Sequence, residues 1–185
     1  MIINWQPCLR GELLKLRPLQ ACDFEDLYKA ASDPLIWEQH PEIHRYKKEL
    51  FEKYFDSGLQ SKGALLILDK LTGETLGCSR YYDHDITNNQ IAIGYTFLVR
   101  KCWGKPYNKE LKKLMIDYAF NHVANILFFI GINNIRSRKA IEKIGATFQG
   151  NNKSSAIYKM IKEVWYKKFH ISKQFRNNII TAINS

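Results

Sequence analysis

Residues 90–120, QIAIGYTFLVRKCWGKPYNKELKKLMIDYAF, constrain this chain more than any other stretch. An apolar, β-rich run over 91–99 leads into a short basic turn, Arg100-Lys101-Cys102-Trp103-Gly104-Lys105. Beyond the turn, Leu111, Leu114, Met115, Tyr118 and Ala119 recur at i, i+3, i+4, i+7 and i+8, one face of an α-helix. A strand that passes through a glycine-bearing turn into a helix start presents backbone N–H groups that no helical carbonyl reaches. Such groups attract anions, and Arg100, Lys101 and Lys105 add positive charge. A phosphorylated ligand is the first expectation.

The turn lacks the G-x-x-x-x-G-K-[ST] of a P-loop and the G-x-G-x-x-G of a dinucleotide site. It reads Lys101-x-x-Gly104-x-Pro106, which resembles the acyl-coenzyme-A pyrophosphate loop of the GNAT superfamily, [QRK]-x-x-G-x-[GA]. The flanking IGYTFL and the Trp103-Gly104 pair are similar to the RimJ/RimL-like branch. A second segment agrees. Asn134-Ile135-Arg136-Ser137 followed by Ala140-Ile141-Glu142-Lys143-Ile144-Gly145-Ala146 resembles that branch's N-x-x-S-x-x-x-x-E-K-x-G-F signature. Leu16-Arg17-Pro18-Leu19, with Asp23 and Leu27, is similar to the family's opening strand and first helix. The likeness covers roughly residues 10–165. Three positions depart from it. Pro106 replaces a second small residue and removes one N–H donor, though proline is tolerated in a first helical turn. Ala146 stands for the usual Phe. Ala92 occupies the place where many relatives carry a strand glutamate that acts as base.

The resemblance implies an α/β (α+β layered) domain with a mixed, mostly antiparallel central sheet flanked by helices. It implies acetyl-CoA as donor and a primary amine, small molecule or protein N-terminus, as acceptor, by direct attack on the thioester. In that frame Trp103, Gly104, Lys105, Tyr107 and Asn108 hold the pyrophosphate, with Lys101 beside them. Phe97, Leu98 and Val99 bond the pantetheine arm like an added strand. Asn134 is both a natural helix N-cap and an implied pantetheine contact. The Ser137 hydroxyl is placed to serve the departing thiolate; a tyrosine four residues further on, used by other relatives, is replaced by Ile141. With Ala92 in the glutamate position, the candidate bases are His84, its neighbours Asp83 and Asp85, or a water chain; an unperturbed histidine titrates near neutral pH. Trp37, His40 and Tyr46 fall where the family's acceptor-binding helices lie. With Glu38 and Glu42 they suggest an aromatic, partly acidic cleft for a cationic amine.

Composition limits the alternatives. The 185 residues, 45% hydrophobic and 25% charged, suit one globular domain over 1–185. No apolar run approaches the roughly 20 residues that span a bilayer. The N-terminal residues lack the pattern of a secretory signal, and Cys8, Cys22, Cys78 and Cys102 show no metal-like spacing. A cytoplasmic protein without a metal is expected. Residues 1–90 hold 11 Lys and Arg against 14 Asp and Glu, whereas residues 91–185 hold 17 against 4. The basic half carries both motifs, and its field favours capture of a polyphosphate. A basic surface without a specific partner, and RNA binding through the aromatic-interleaved run 158–176, remain alternatives. They define a second reading, a non-catalytic acyl-CoA- or RNA-binding protein on the same fold. Nucleic acid is the less favoured partner, because such interleaving more often marks a packed strand and helix. Trp165, Tyr166 and Phe169 suit either a homodimer interface or packing on the sheet.

Periodicity and turn residues predict strands over 13–18, 64–69, 75–82, 91–99, 126–132 and 154–161, and helices over 21–31, 47–57, 107–123, 135–144 and 164–175. Asp23 is the expected cap of the first helix, Ser32-Asp33-Pro34 its break, 71–74 a hairpin turn, and Gly145 the stop of the helix over 135–144.

Overall fold

The computed structural model describes residues 3–171. Its elements follow the order β1 (Leu9–Arg10), β2 (Leu14–Pro18), α1 (Phe24–Ala31), α2 (Lys48–Gln60), β3 (Ala64–Asp69), β4 (Thr75–Asp85), β5 (Gln90–Leu98), α3 (Tyr107–Ala119), β6 (Asn125–Gly131), α4 (Ile135–Ile144), β7 (Thr147–Asn151), β8 (Ser155–Ile161) and α5 (Lys162–Tyr166). The eight strands form one sheet in the order β1-β2-β3-β4-β5-β6-β8-β7. Every neighbouring pair is antiparallel except β5 and β6. The mixed, mostly antiparallel sheet flanked by helices is the expected one.

Alternation along the strands decides which helices cover each face. Leu14, Leu16, Leu65, Ile67, Tyr81, Ile91, Ile93, Phe128 and Tyr158 meet Leu111, Met115, Ile116 and Ala119 of α3 and Ile141 of α4 in one core. The opposite sides of the same strands, with Ala64, Leu66, Cys78 and Phe97, meet Leu27 and Ala31 of α1 and Phe51 and Phe55 of α2 in a second. β3 is buried on both faces, so its sequence, ALLILD, is continuously apolar until its end.

Most elements agree with the sequence within a few residues. α1 is preceded by a 3-10 turn at Ala21–Asp23, and Asp23 does not cap it through its side chain. Its carboxylate instead takes both nitrogens of a bidentate Arg17 (2.7 and 2.6 Å) and the Gln20 N–H (2.8 Å). α2 runs three residues beyond its expected end, to Gln60. α3 stops at Ala119 rather than 123. β4 extends to Asp85, through residues expected to be loop, because β5 supplies a ladder partner as far as Asp85↔Gln90. β1 and β7 were not anticipated. The C-terminal helix is α5 followed by a π-helical turn at Lys167–Ile171; the rest of the expected helix, past 171, lies outside the described residues. Trp165 is buried, donates to Asp117 Oδ1 (2.7 Å) and lies tilted against Phe169 (4.1 Å between centroids), while the Tyr166 ring lies 6.4 Å from Phe120. These aromatics pack on the α3 side of the sheet.

Candidate active site

The sheet opens at one place. β5 and β6 are paired only at Gln90↔Asn125, Ile91↔Ile126 and Ala92↔Leu127. β5 continues to Leu98 on its ladder with β4, and β6 continues to Gly131 on its ladder with β8. Each strand is held on its outer edge, so the inner edges part and leave backbone groups facing a crevice. A bulge lies just beyond the last pair. Tyr95 and Thr96 together oppose Ser79, and Tyr95 adopts a positive φ of 51°. The Tyr54 hydroxyl holds this shape by donating to the Tyr95 carbonyl at 2.6 Å.

The turn after β5 forms the mouth. Gly104 has φ +70°, the left-handed region that favours glycine, and a Cβ built there would meet nothing within 4 Å. α3 starts after Pro106 with no side-chain cap. Glu110 N–H is the first of its turn to reach a carbonyl, that of Pro106. The N–H groups of Gly104, Tyr107, Asn108 and Lys109 have no hydrogen-bond partner among the described residues. Open space at Gly104, an uncapped helix of 13 residues and an unpaired strand edge fit a phosphorylated, extended ligand such as coenzyme A. Lys101 is paired with Glu74 and Arg100 with Asp33, whereas Lys105 makes no ion pair among the described residues. The Trp103 indole N–H donates to the Leu98 carbonyl (3.0 Å), Val99 N–H to the Leu76 carbonyl (2.9 Å), and the Tyr107 hydroxyl to Asp69 (3.4 Å).

α4 forms the facing wall. Asn134, 9% exposed, caps it by accepting from the Ser137 N–H at 3.1 Å. Ser137 itself is half-buried, and its hydroxyl has no partner among the described residues. Arg136 spans the mouth. Its guanidinium lies 3.8 Å from the Trp103 ring centroid, pairs with Glu38 (3.1 Å) and donates to the Ile36 carbonyl (3.3 Å). The chain before α2 therefore roofs the crevice. Pro41 sits so close to Gly131 that a Cβ there would lie 2.9 Å from it.

Under this roof, Trp37 packs on Phe97 (5.2 Å), His40 (5.6 Å) and Tyr54 (6.2 Å), bringing an expected acceptor residue against an expected cofactor residue. Tyr46 is half-buried with its ring 6.2 Å from His44, and packs against the core cluster that contains Trp37, Tyr54 and Phe97. The partly acidic cleft is not what forms. Glu38 is spent on Arg136, Glu42 is exposed, and the charge under the roof is positive, from Arg45 and Arg80. His84 lies four residues beyond Arg80, the partner of Gly94, about 13 Å along β4. There its ring packs against Trp5 (5.1 Å), at the end of the β4–β5 hairpin where the sheet is closed.

One group was missed. Lys112 of α3 is 6% exposed, and its Nζ donates to Thr96 Oγ1 in the bulge at 3.0 Å. Thr96 Oγ1 in turn lies 2.7 Å from Ser79 Oγ. Nζ is 5.9 Å from the centroid of Phe128, across the parting. No carboxylate pairs with it among the described residues, and burial pushes its pKa down to about 8. The signal lay in the helix stripe Lys112, Met115, Ile116, Ala119, at i, i+3, i+4 and i+7, which places a lysine at the head of a buried row.

A sheet parted between parallel neighbours, with an uncapped helix start at the gap, defines a fold that admits an extended phosphorylated arm between its strands. The chain belongs to the GNAT acetyltransferase family: the model of the acetyltransferase (GNAT) domain matches residues 14–147. The uncharacterized protein YkkB of Bacillus subtilis (strain 168) is 35% identical over 97 residues, which span 49% of this chain and 56% of that relative, little more than half its length. A GCN5-related N-acetyltransferase from Brucella melitensis shares the fold with a TM-score of 0.77 at 21% identity, over 86% of this chain and 80% of its own. An acetyltransferase from Agrobacterium tumefaciens str. C58 does so with a TM-score of 0.69 at 23% identity, over 84% and 95%.

Proposed function

We propose that this protein is an acetyl-CoA-dependent N-acetyltransferase of the RimJ/RimL-like branch, acting on a primary amine of a small molecule or a peptide N-terminus, with Lys112 as the proton acceptor in place of the absent strand glutamate. The observation that carries it is the parting of β5 from β6 beyond Ala92 and Leu127, with the uncapped start of α3 at its mouth. Acetyl-CoA, when bound, supplies an acyl carbon activated as a thioester. The N–H groups of Gly104, Tyr107 and Asn108 hold its pyrophosphate, with Lys101, Trp103 and Lys105 around them. The segment Phe97, Leu98 and Val99 at the end of β5, with Asn134 opposite, orients the extended arm through the backbone groups left over by the Val99 N–H bond to Leu76 and the Trp103 bond to the Leu98 carbonyl. Lys112 Nζ, deprotonated above its lowered pKa, takes the proton of the attacking amine. Thr96 and Ser79 keep Nζ at the bulge, where the strands part. The Ser137 hydroxyl donates to the sulfur as it becomes a thiolate. Trp37 and His40 border the acceptor, and the roof from Ile36 to Pro41 limits water.

Gly104→Glu tests the placement. Its carboxylate enters the phosphate site, and the left-handed backbone is strained for any L side chain. Calorimetric titration with CoA should show at least a tenfold loss of affinity, and turnover should fall with it. Unchanged CoA affinity in a folded variant would refute the assignment.

A further inference from the structure

The face of the sheet under α1 and α2 holds positive charge without a counter-ion. Arg80 is 4% exposed. Its Nη1 donates to Ser57 Oγ (3.0 Å) and its Nη2 to the Tyr54 carbonyl (3.3 Å), while its buried Nε finds no acceptor among the described residues. The Arg45 guanidinium lies over Trp37 (5.2 Å) and Tyr54 (4.9 Å), and that of Arg80 over Tyr95 (4.1 Å) and Tyr54 (5.9 Å). Neither arginine forms an ion pair among the described residues. The other titratable groups facing Arg45 are His40, Tyr54, Tyr95 and the exposed Glu42. Burial pulls the Arg45 pKa down more than Tyr54 and Glu42 raise it, and the charge of Arg80 adds to the fall. Charge held unpaired away from water is costly, and groups perturbed in this way cluster at functional sites.

His40 shows the same deficit independently. Its Nδ1 accepts the Glu42 N–H at 2.9 Å, and its Nε2 lies 3.2 Å from Arg45 Nη1. Both ring nitrogens therefore face N–H donors, but a neutral imidazole has only one acceptor nitrogen. Whichever tautomer forms, one donor meets another. Protonation would turn both nitrogens into donors and worsen the contact, and burial, followed by the Arg45 charge, accordingly pushes the His40 pKa down to about 4. An anion accepting from both Nε2–H and Arg45 does relieve it.

We infer that the cluster of Trp37, His40, Arg45 and Tyr54, with Arg80 behind Tyr54, receives at its half-buried His40 and Arg45 an anionic group, carboxylate or phosphate, carried by the amine acceptor. This rests on the acetyltransferase reading. The cluster touches the strand that would hold the donor, because Trp37 packs on Phe97 and Tyr54 bonds the bulge at Tyr95. A seated anion therefore fixes the acceptor beside the parting of the sheet.

Two measurements test it. The first is acetyl transfer from acetyl-CoA to matched amines at equal free-amine concentration: β-alanine against β-alaninamide, and 2-aminoethyl phosphate against ethanolamine. The anionic member of at least one pair should show about tenfold or more higher kcat/KM, and which pair responds distinguishes carboxylate from phosphate. Arg45→Gln should erase the preference without changing the Kd for acetyl-CoA. Equal use of the neutral members, or a preference that survives Arg45→Gln, would overturn the inference. The second measurement needs no turnover. The His40 ring-nitrogen NMR signal, assigned by its loss in His40→Gln, should titrate at higher pH with added inorganic phosphate or acetate, and not in Arg45→Gln. A His40 signal indifferent to both anions overturns the inference even if acetyl-CoA binds. A response to anions in a protein that does not bind acetyl-CoA instead keeps the anion seat and removes the acetyltransferase reading.

Discussion

Replacing Lys112 with methionine should make the protein more stable and less active. The unfolded chain takes up the lysine proton near 10.5, the folded chain only below about 8. Between those pH values the unfolded state binds more protons, so stability rises with pH. Below about 8 the whole penalty is present. A difference of some 2.5 pH units at 1.36 kcal/mol each makes it about 3 kcal/mol at pH 7. Methionine keeps the unbranched stem against Phe128 and does not titrate. Its only lost hydrogen bond is the one to Thr96, whose hydroxyl retains Ser79 and the Gly94 carbonyl (3.3 Å). Lys112→Met should therefore raise the melting temperature at pH 7 by roughly 6–12 °C for a domain of this size. The gain should shrink from pH 8 upward and vanish by about 10.5. In the same variant kcat/KM should lose the rising limb near pH 8 that a proton acceptor of that pKa imposes. Scanning calorimetry from pH 6 to 10.5 on both proteins checks the first part, and a thiol-release assay the second. Equal or lower stability of the variant at pH 7 would mean that Lys112 is solvated or paired. A retained limb at pH 8 would remove it from the reaction.

Two further substitutions probe how the crevice is held. Asn134→Ala removes the α4 cap and should cost about 1 kcal/mol; if Asn134 also touches the donor, CoA affinity measured by calorimetry falls more than that of a second cap variant, Asn134→Asp. Asp23→Ala removes a bidentate partner of Arg17 and the acceptor of the Gln20 N–H, and leaves the Arg17 guanidinium only partly hydrated. Urea unfolding should show a loss of about 2–3 kcal/mol, with CoA affinity unchanged because Asp23 stands at the start of α1, whereas the turn after β5 is met by Asp33 beyond its other end.

What was legible in the sequence was what local chemistry decides. The strand–turn–helix at 90–120 declared itself because its periodicity switches from two to 3.6 across a glycine, and every residue that makes the switch is a neighbour in the chain. Asn134 and Gly145 were legible as cap and stop of α4 for the same reason. β7 was not. Its residues, TFQGN, are largely exposed and carry no apolar alternation, and the strand exists only because β8 offers an edge. β4 likewise continues through Asp83, His84 and Asp85 because β5 pairs with it. That extension carries His84 to the closed end of the hairpin.

The charge pattern misled for a related reason. Counted along the chain, the first 90 residues hold more acids than bases, and Glu38 and Glu42 made an acidic cleft the natural expectation. Folding sorts those charges by what each side chain can do when water is removed. A carboxylate under an aromatic roof would face the negative faces of the rings. A guanidinium is weakly hydrated, lies flat on Trp or Tyr and keeps its charge at any working pH, so it tolerates the same site. Arg45 and Arg80 accordingly lie against Trp37, Tyr54 and Tyr95, while Glu42 is exposed and Glu38 pairs with Arg136 at the mouth. Net charge fixes the far field that steers a ligand, but the sign a bound ligand meets is set by the few charges that burial retains. In this crevice those are Arg45, Arg80 and Lys112. The first two lie on the α1–α2 face, where they suit an anion, and the third lies on the α3 face, where burial leaves an amine able to accept a proton. The sheet keeps the two apart except where β5 and β6 separate, and that gap is where an acceptor amine and an acyl group would have to meet.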